Sequence, residues 1–226
     1  MIVVSGASRG IGYEVARRLH ERGQSVVGLS RGGRSDADFP VDKLDVRDDV
    51  AVSRYARRLR QHGIRVDALI NAAGIASMNL ALMTPIGVTS DLLQTNFLGT
   101  VSACKHFSPL LIRAGGGVII NFSTIAVSLH LEGESSYVAS KAAVEAYSRV
   151  LARELAKHQV RVNCIAPGPI ETALLKGVSA NQVSRIVDRQ LLKHQFKCSD
   201  VADLVEILLD NRAASLTGHV FHLGGV

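Results

Sequence analysis

Tyr137 and Lys141 form the pair in this sequence whose residue types and spacing most directly indicate proton transfer. They stand four positions apart in a segment with helical periodicity, so both side chains lie on one helix face with the ammonium near the phenol. A free tyrosine titrates near pH ~10, and a neighbouring cation favours its phenolate form. The pair therefore predicts a phenol that acts as an acid or a base. An incidental pair on an amphipathic helix has the same spacing, so the surrounding chain must distinguish the two interpretations.

A glycine-rich segment, SGASRGIG, directly follows the first apolar run of the chain and precedes a helical segment. Glycines let a backbone turn tightly and approach a pyrophosphate, and the following helix offers free N–H groups and the positive end of its dipole. This placement predicts a nucleotide phosphate site rather than an ordinary turn. The residues expected to contact the phosphates are Gly6, Ser8, Arg9, Gly10, Ile11 and Gly12.

Strands and helices alternate along the rest of the chain. Apolar, β-branched runs predict strands buried on both faces at 1–5, 25–29, 68–71, 118–122, 160–166 and 220–223, with a short strand near 41–44. Helical periodicity marks 11–22, 48–62, 91–114, 135–158 and 199–209. This order predicts one α/β domain over residues 1–226, a Rossmann-type doubly wound parallel sheet in three layers.

Two segments depart from this regular alternation. Residues 31–45 are too short and too rich in Gly and Asp for a full crossover helix. Residues 173–192 form a longer insertion after the strand at 160–166, and we expect them to be a mobile substrate lid.

Composition limits the partners of the protein. The formal charge is +6, but the basic residues are mixed with acids and aromatic residues make up only 4% of the chain, so we expect no nucleic-acid partner. A phosphate-bearing cofactor or a thioester carrier explains the charge as well.

Three distant cysteines favour a reducing compartment, and eight histidines without ligand spacing favour the absence of a bound metal. The apolar opening MIVVSG lacks a charged leader or a bilayer-spanning run, so we expect a cytoplasmic protein without a membrane partner.

The glycine spacing G-x-x-x-G-x-G resembles the short-chain dehydrogenase/reductase family, and further motifs extend this resemblance over nearly the whole chain. Asn71-Ala72-Ala73-Gly74 matches the family's N-x-A-G segment, which supports the sheet and borders the adenosine ribose. Asp45-Val46 matches the pair that contacts the adenine ring in relatives. An ordinary strand-ending turn and a helix N-cap aspartate are the respective alternatives.

The resemblance also assigns the nicotinamide end of the site. The segment Pro167-Gly168-Pro169-Ile170-Glu171-Thr172 resembles the family's P-G segment, in which the Ile backbone and the Thr hydroxyl bind the carboxamide. Pro-Gly-Pro is also a good turn without any ligand.

The catalytic residues implied by the resemblance are Asn96, Thr124, Tyr137 and Lys141. In relatives the tyrosine protonates the substrate oxygen as hydride reaches the carbon, and the lysine also holds the nicotinamide ribose. Asn96 falls where the family fixes a helix kink and a water linked to the lysine, and a buried structural role is compatible with this.

The family's serine lies 13 residues before the tyrosine, where this chain has Thr124. Threonine keeps the hydroxyl, and its methyl group narrows the pocket. Ser123 would replace it only if the strand end twisted.

Cofactor choice depends on the end of the second strand, where an acidic residue binds the ribose hydroxyls and repels a 2'-phosphate. This chain has Leu29-Ser30-Arg31 there, without an acid. Arg31 and Arg9 are placed to form charge-assisted bonds to a phosphate, which favours NADP(H). Solvated surface arginines are the alternative.

Within the family, the chain looks most like the β-ketoacyl-acyl-carrier-protein reductases, including Thr217-Gly218 and Gly224-Gly225 near its end. This implies NADPH-dependent reduction of a 3-oxoacyl thioester, carried by acyl-carrier protein or CoA, in fatty acid biosynthesis. A reductase or dehydrogenase of another small alcohol, sugar, polyol or steroid is one alternative. A non-catalytic NADP-binding sensor or scaffold is another, suggested by Thr124 and the short 31–45 segment. The resemblance also implies a homotetramer, or at least a dimer, formed through the helices that carry Asn96 and Tyr137.

Overall fold

A seven-stranded parallel sheet forms the centre of the protein in a computed structural model, which describes residues 1–175 and 178–226. The spatial order of the strands is β3-β2-β1-β4-β5-β6-β7. Strands β2 and β3 are added on one side of β1, and β4 to β7 are added on the other, so the order of strand addition reverses between β1 and β4. In such sheets, ligands bind at the carboxyl ends of the strands beside this reversal. The strands are Ile2–Ser5 (β1), Val26–Ser30 (β2), Val41–Lys43 (β3), Ala68–Asn71 (β4), Gly117–Phe122 (β5), Val160–Ala166 (β6) and Val220–His222 (β7).

Helices cover both faces of this sheet. The described α-helices are Gly10–Glu21 (α1), Asp49–Gln61 (α2), Ile86–Leu92 (α3), Gly99–Arg113 (α4), Ala126–Leu129 (α5), Ser135–Leu155 (α6), Ala180–Val187 (α7) and Cys198–Leu209 (α8). One apolar core joins α2, α4 and α6 to strand residues such as Val3, and the opposite core joins α1 and α8 to residues such as Val4. Successive strand side chains point to opposite faces, so every inner strand is apolar on both sides. The predicted three-layer Rossmann-type fold is confirmed.

Most predicted element boundaries agree with the structure to within one or two residues, and β4 and β6 agree fully. The helix predicted at 91–114 is wrong in its start and its continuity. The structure has α3 from Ile86, then a π-helical turn at Leu93–Leu98, and then α4. The segment IGVTS at 86–90 contains Gly and β-branched residues, which are weak helix formers, so its sequence did not predict a helix. The short helix α5 was also missed.

The two irregular segments have different structures. Residues 31–40, all of which are described, contain no helix, and β3 follows them directly, as the sequence predicted. The predicted lid at 173–192 contains a 3-10 turn at Ala173–Leu175 and the helix α7, while residues 176 and 177 lie outside the described part of the chain. Ser179 and Gln182 form a capping box that starts α7. Mobility of this segment remains a prediction.

Candidate active site

A cavity of about 700 Å³ opens at the carboxyl ends of the strands, where the sheet reverses its order. Loops after β1, β2, β4, β5 and β6 form its wall. The sequence-predicted residues on this wall are Gly6, Ser8, Arg9, Gly10, Ile11, Gly12, Arg31, Asp45, Val46, Ala72, Gly74, Thr124, Tyr137, Lys141, Pro167, Gly168, Ile170 and Thr172. Asn71 and Asn96 are buried behind the wall.

The glycine loop at one end of the cavity has the shape that a pyrophosphate requires. Gly6 and Gly10 have φ of +74° and +58°, in the left-handed region that favours glycine. A Cβ at Gly6 would lie 2.7 Å from the backbone of Ala72, and one at Gly12 would lie 2.5 Å from the oxygen of Gly6. No side chain within the described ranges caps α1 at Arg9, so its first N–H groups remain available to an anion. The loop therefore fits a dinucleotide phosphate.

The aspartates that follow β3 have separate roles. Asp48 is the N-cap of α2, because its carboxylate accepts a hydrogen bond of 2.9 Å from the backbone N–H of Ala51. Asp45 lies on the cavity wall and forms an ion pair of 2.7 Å with Arg47, which holds the pKa of its carboxyl below the usual range. The N-cap role thus belongs to Asp48, which leaves Asp45 at the position expected to meet the adenine ring.

Asn71 supports the sheet from behind the cavity. Its side-chain N–H group donates to Asn121 Oδ1 at 2.8 Å and to the sulfur of Cys104 at 3.3 Å. Asn121 in turn donates to the Ser148 hydroxyl on α6 at 2.8 Å. This buried network joins β4 and β5 to α4 and α6. The cavity surface at this point is formed by Ala72 to Gly74, and Asn71 lies behind it.

Asn96 lies in the π-helical turn, and its side chain forms hydrogen bonds that connect this turn to the loop after β4 and to α6. Its amide accepts from the backbone N–H of Ile75 and donates to the carbonyl of Ile75, both at 2.9 Å, and also donates to Ser140 Oγ at 3.0 Å. A π-turn is a common local distortion at functional sites. A Cβ at Gly74 would lie 3.3 Å from Asn96 Oδ1 and 3.5 Å from Lys141 Nζ, so these two side chains meet beside the same glycine. We therefore treat Asn96 as a positioning residue.

Tyr137 and Lys141 lie one turn apart on α6 and both contribute to the cavity wall, as predicted. The ammonium of Lys141 donates to the carbonyl of Phe122 at the end of β5, at 2.9 Å. Burial lowers the pKa of Lys141 to about 8. Burial also raises the pKa of the Tyr137 phenol above its ordinary value, while the hydroxyl of Thr124 acts in the opposite direction. The phenol is therefore protonated near neutral pH, ready to donate a proton.

The structure separates the two hydroxyl candidates at the end of β5. Ser123 donates to the buried carboxylate of Glu145 at 2.6 Å, so its hydroxyl is already used. The Thr124 hydroxyl approaches the Tyr137 phenol at the cavity surface and accepts from the backbone N–H of Ala126 at 3.2 Å. Thr124 therefore occupies the position predicted for the substrate-orienting hydroxyl.

Sequence reasoning missed two arginines at the cofactor end. Arg34 donates to the backbone carbonyl of Ser8 at 2.8 Å, and its guanidinium lies 4.1 Å from the centre of the Tyr13 ring. It also pairs with Asp36 at 2.9 Å. Arg47 lies on the cavity wall beside Asp45. These contacts depend on how loops meet in space, and the spacing of residues along the chain gave no signal for them.

Sequence reasoning also missed Glu134, which lies on the cavity wall three residues before Tyr137. Its side chain is only 8% exposed, and burial raises the pKa of its carboxyl to about 7. The i, i+3 spacing from the tyrosine was the available signal, because residues three apart are neighbours on a helix. The carboxylate also contributes to the raised pKa of Tyr137.

Two properties of the described residues bear on other classes of protein. Within residues 1–175 and 178–226, no group of three or more His, Cys, Asp or Glu side chains is arranged to hold a metal ion. None of the helices in these ranges is both long enough and apolar enough to cross a membrane.

A family model described as enoyl-(acyl carrier protein) reductase matches residues 6–225 of the chain. The protein therefore belongs to the short-chain dehydrogenase/reductase family, whose members are oxidoreductases that use a nicotinamide cofactor. This confirms the resemblance stated from the motifs.

Individual relatives cover almost the whole chain. The 3-oxoacyl-[acyl-carrier-protein] reductase FabG of Escherichia coli is 29% identical over 231 residues, with 99% of this chain and 95% of the relative aligned. The FabG of Staphylococcus epidermidis is 29% identical over 235 residues, covering 99% and 96%. Among solved structures, the ligand-free aldohexose dehydrogenase of Thermoplasma acidophilum has a TM-score of 0.90 and 26% identity, covering 99% of this chain and 92% of that one.

The Thr124 hydroxyl can be tested by two substitutions of similar size. We expect Thr124→Val to lower kcat by about 10²-fold, because it removes a hydrogen-bond donor to the reacting oxygen and keeps the shape of the side chain. Thr124→Ser should remain within about threefold of the wild type, because it keeps the donor. Turnover is followed by nicotinamide absorbance, with melting temperature as the control for folding. Equal activity of the Val and wild-type proteins would contradict this role.

Proposed function

We propose that the protein is an NADPH-dependent reductase that converts a 3-oxoacyl thioester to its 3-hydroxyacyl form. The observation that carries this proposal is the common cavity of Thr124, Tyr137 and Lys141, which is continuous with the glycine loop that fits a dinucleotide phosphate. The FabG relatives support the substrate class, since their names specify 3-oxoacyl chains on acyl-carrier protein.

The proposed reaction divides its work between the cofactor and the protein. A bound nicotinamide supplies the hydride that adds to the carbonyl carbon. Thr124 donates a hydrogen bond that orients the carbonyl oxygen, and Tyr137 transfers its phenolic proton to that oxygen as negative charge develops there. Lys141 is positioned by the Phe122 carbonyl, and its ammonium stabilises the phenolate that remains. Solvent then restores the proton to Tyr137.

The preference for NADPH is proposed from the charges at the end of β2. The strand ends at Ser30, and Arg31 follows it on the cavity wall where an acid would repel a 2'-phosphate. Arg9 lies on the same wall, and Arg34 crosses to the Ser8 carbonyl. Arginine groups at this end favour the phosphorylated cofactor through charge-assisted hydrogen bonds.

The function is tested by measuring the loss of nicotinamide absorbance with purified protein and an acetoacetyl thioester. We expect turnover with NADPH and at least about tenfold lower kcat/KM with NADH, a difference of one charge-assisted contact. Arg31→Ala should narrow this preference mainly by raising the KM for NADPH. A higher kcat/KM with NADH than with NADPH would contradict the cofactor assignment but not the substrate assignment. Absence of thioester turnover, with NADPH binding intact, would contradict the substrate assignment.

A second candidate is oxidation or reduction of a sugar or related small alcohol. The solved aldohexose dehydrogenase supports it, because its fold matches this chain at a TM-score of 0.90. The segment 173–192, which we propose as the substrate lid, borders the cavity through Ile186 and leaves the choice of substrate to side chains outside the catalytic set. Turnover of an aldose, polyol or steroid in preference to the thioester would favour this candidate.

We also propose a cytoplasmic homotetramer that acts in fatty acid biosynthesis. Exposed apolar side chains on the π-helical turn and on α6 support the assembly, namely Leu93, Leu98 and Val150, with exposures of 37%, 43% and 55%. All three cysteines are unpaired, which supports a reducing compartment. Light scattering at micromolar concentration measures the assembly, and a monomer would contradict it.

A further inference from the structure

Glu134 lies where the catalytic cavity meets a second cavity of about 420 Å³. Both cavities share the side chains of Met78, Leu131 and Ile186 around it. None of the phosphate-loop residues, and none of Thr124, Tyr137 and Lys141, is among the residues that line the second cavity. Glu134 therefore lies at the junction between the cavity that contains Tyr137 and a second cavity with room for a further part of a substrate.

The Glu134 carboxyl is buried without compensation from nearby groups. Its residue is 8% exposed, and it has no side-chain hydrogen bond or ion pair to any residue in the described ranges. Burial of a carboxyl without a partner disfavours its charged form and raises its pKa, here to about 7. The carboxyl therefore changes charge within the physiological range of pH.

The other titratable groups along these two cavities do not neutralise this carboxyl. Tyr137 is in the first turn of α6, for which Glu134 is the N-cap residue, and the Glu134 carboxylate contributes to the raised pKa of Tyr137. Lys141 lies one turn further, on the cofactor side. On the outer side, Glu132 and Arg185 line the second cavity but are exposed to solvent, which screens them.

We propose that Glu134 is a specificity-determining residue that excludes substrates with a free carboxylate near the reacting carbonyl and admits their neutral ester and thioester counterparts. Applied to 3-oxoacyl chains, this inference rests on the proposed function. In a 3-oxo acid, the carboxylate carbon is two bonds from the carbonyl carbon that receives hydride. Tyr137 and Glu134 line the same cavity, three residues apart in the chain, so a carboxylate two bonds from a carbonyl that meets Tyr137 is brought into the cavity that Glu134 lines.

Two like charges in one cavity repel more strongly once the substrate has displaced the water between them. A thioester at the same position carries no charge, so it avoids this repulsion. The Glu134 carboxylate also accepts hydrogen bonds from neutral donors, such as the amide N–H groups of a carrier arm or the hydroxyl groups of a sugar. The exclusion therefore applies to anions and leaves both candidate substrate classes accessible.

The experiment compares acetoacetate with methyl acetoacetate, which differ in charge beside the same ketone. For each protein, the acid-to-ester ratio is measured as kcat/KM with NADPH and, independently of turnover, as binding to the enzyme–NADP⁺ complex by calorimetry. At pH 8 to 9, where most of Glu134 is ionised because its pKa is about 7, we expect Glu134→Gln to raise this ratio by about ten- to hundredfold, since it keeps the size of the side chain and removes the charge. Glu134→Asp keeps the charge and should keep most of the exclusion.

Glu132→Gln is the matched control, because it removes the same charge two residues away at an exposed position. Its ratio should stay within about twofold of the wild-type ratio. In the wild type, the ratio should also rise as pH falls through about 7, because protonation removes the charge of Glu134 while acetoacetate stays ionised. The Gln variant should lack this rise.

The outcomes separate the inference from the proposed function. An unchanged ratio in Glu134→Gln, or an equal change in Glu132→Gln, overturns the inference even if thioesters are reduced. If neither compound is reduced but the ratio in the binding measurement changes as expected, the inference stands and the proposed reaction fails. If the wild-type complex binds neither compound, the inference is overturned.

Discussion

Tyr137→Phe is expected to lower kcat by about 10²–10⁴-fold, which is the usual contribution of a positioned acid or base. The phenol is on the cavity wall beside Thr124, and burial keeps it protonated near neutral pH. Phenylalanine keeps the ring in place and removes only the proton donor. Hydride addition would then leave an alkoxide without a nearby acid, so the chemical step should slow while NADPH still binds.

The measurement is nicotinamide absorbance under single-turnover conditions, with NADPH fluorescence as the test of binding. Tyr147→Phe is a matched control, since Tyr147 is on the same helix but packs edge-on against Phe97 outside the cavity. Its kcat should stay within about threefold of the wild type. Full activity in Tyr137→Phe would mean that a group other than Tyr137 donates the proton. NADPH binding by a wild type that reduces no carbonyl compound would favour a sensor.

The fold was predictable because local patterns and global packing agree in this chain. The apolar runs at β4 and β6 are bounded by polar or turn residues, so their ends were clear in the sequence. The interruption between α3 and α4 was not predictable in this way. It depends on Asn96 reaching the backbone of Ile75, which lies 21 positions away along the chain. A tertiary hydrogen bond of this kind has no counterpart in helical periodicity.

The site was predictable where short motifs determine geometry. The glycine loop and the Tyr137–Lys141 pair are local in sequence, and the structure brings both to one cavity. Arg34 was not predictable, because its position depends on how residues 31–40 fold back onto the Ser8 carbonyl. Glu134 had the right spacing from Tyr137, but its place on the cavity wall together with distant residues such as Met78 and Ile186 depends on the fold. The motifs thus predict the chemistry, but the positions of loop residues that select a substrate can be found only from the structure.

Lys141→Met is expected to abolish most activity and, at pH 7, to raise the free energy of unfolding of the cofactor-free protein by about 1–2 kcal/mol. Burial lowers the pKa of Lys141 to about 8, so at pH 7 the folded protein holds a poorly solvated cation. A depression from 10.5 to about 8 corresponds to roughly 3 kcal/mol, at 1.36 kcal/mol per pKa unit. Methionine removes this cost but leaves the Phe122 carbonyl without its donor, which costs about 1–2 kcal/mol.

The pH dependence of unfolding distinguishes this explanation from a simple packing effect. Between about pH 8 and 10.5 the unfolded lysine is protonated and the folded one is not, so the unfolded state binds more protons and wild-type stability should rise with pH. Below pH 8 both states are protonated and the full cost is present. Urea unfolding should therefore show that the higher free energy of unfolding of Lys141→Met at pH 7 becomes smaller, or falls below that of the wild type, at pH 10.

Lys157→Met is the control for the unfolding experiment, because Lys157 is exposed after the end of α6 and its substitution should change stability by less than about 0.5 kcal/mol at either pH. A Lys141→Met protein that is less stable than the wild type at pH 7 would mean that the ammonium is well compensated before the cofactor binds. The expected result has the opposite meaning. A lysine whose charge destabilises the cofactor-free protein would gain a compensating partner only when the tyrosinate forms, so we would attribute its unfavourable burial to selection for catalysis rather than for stability.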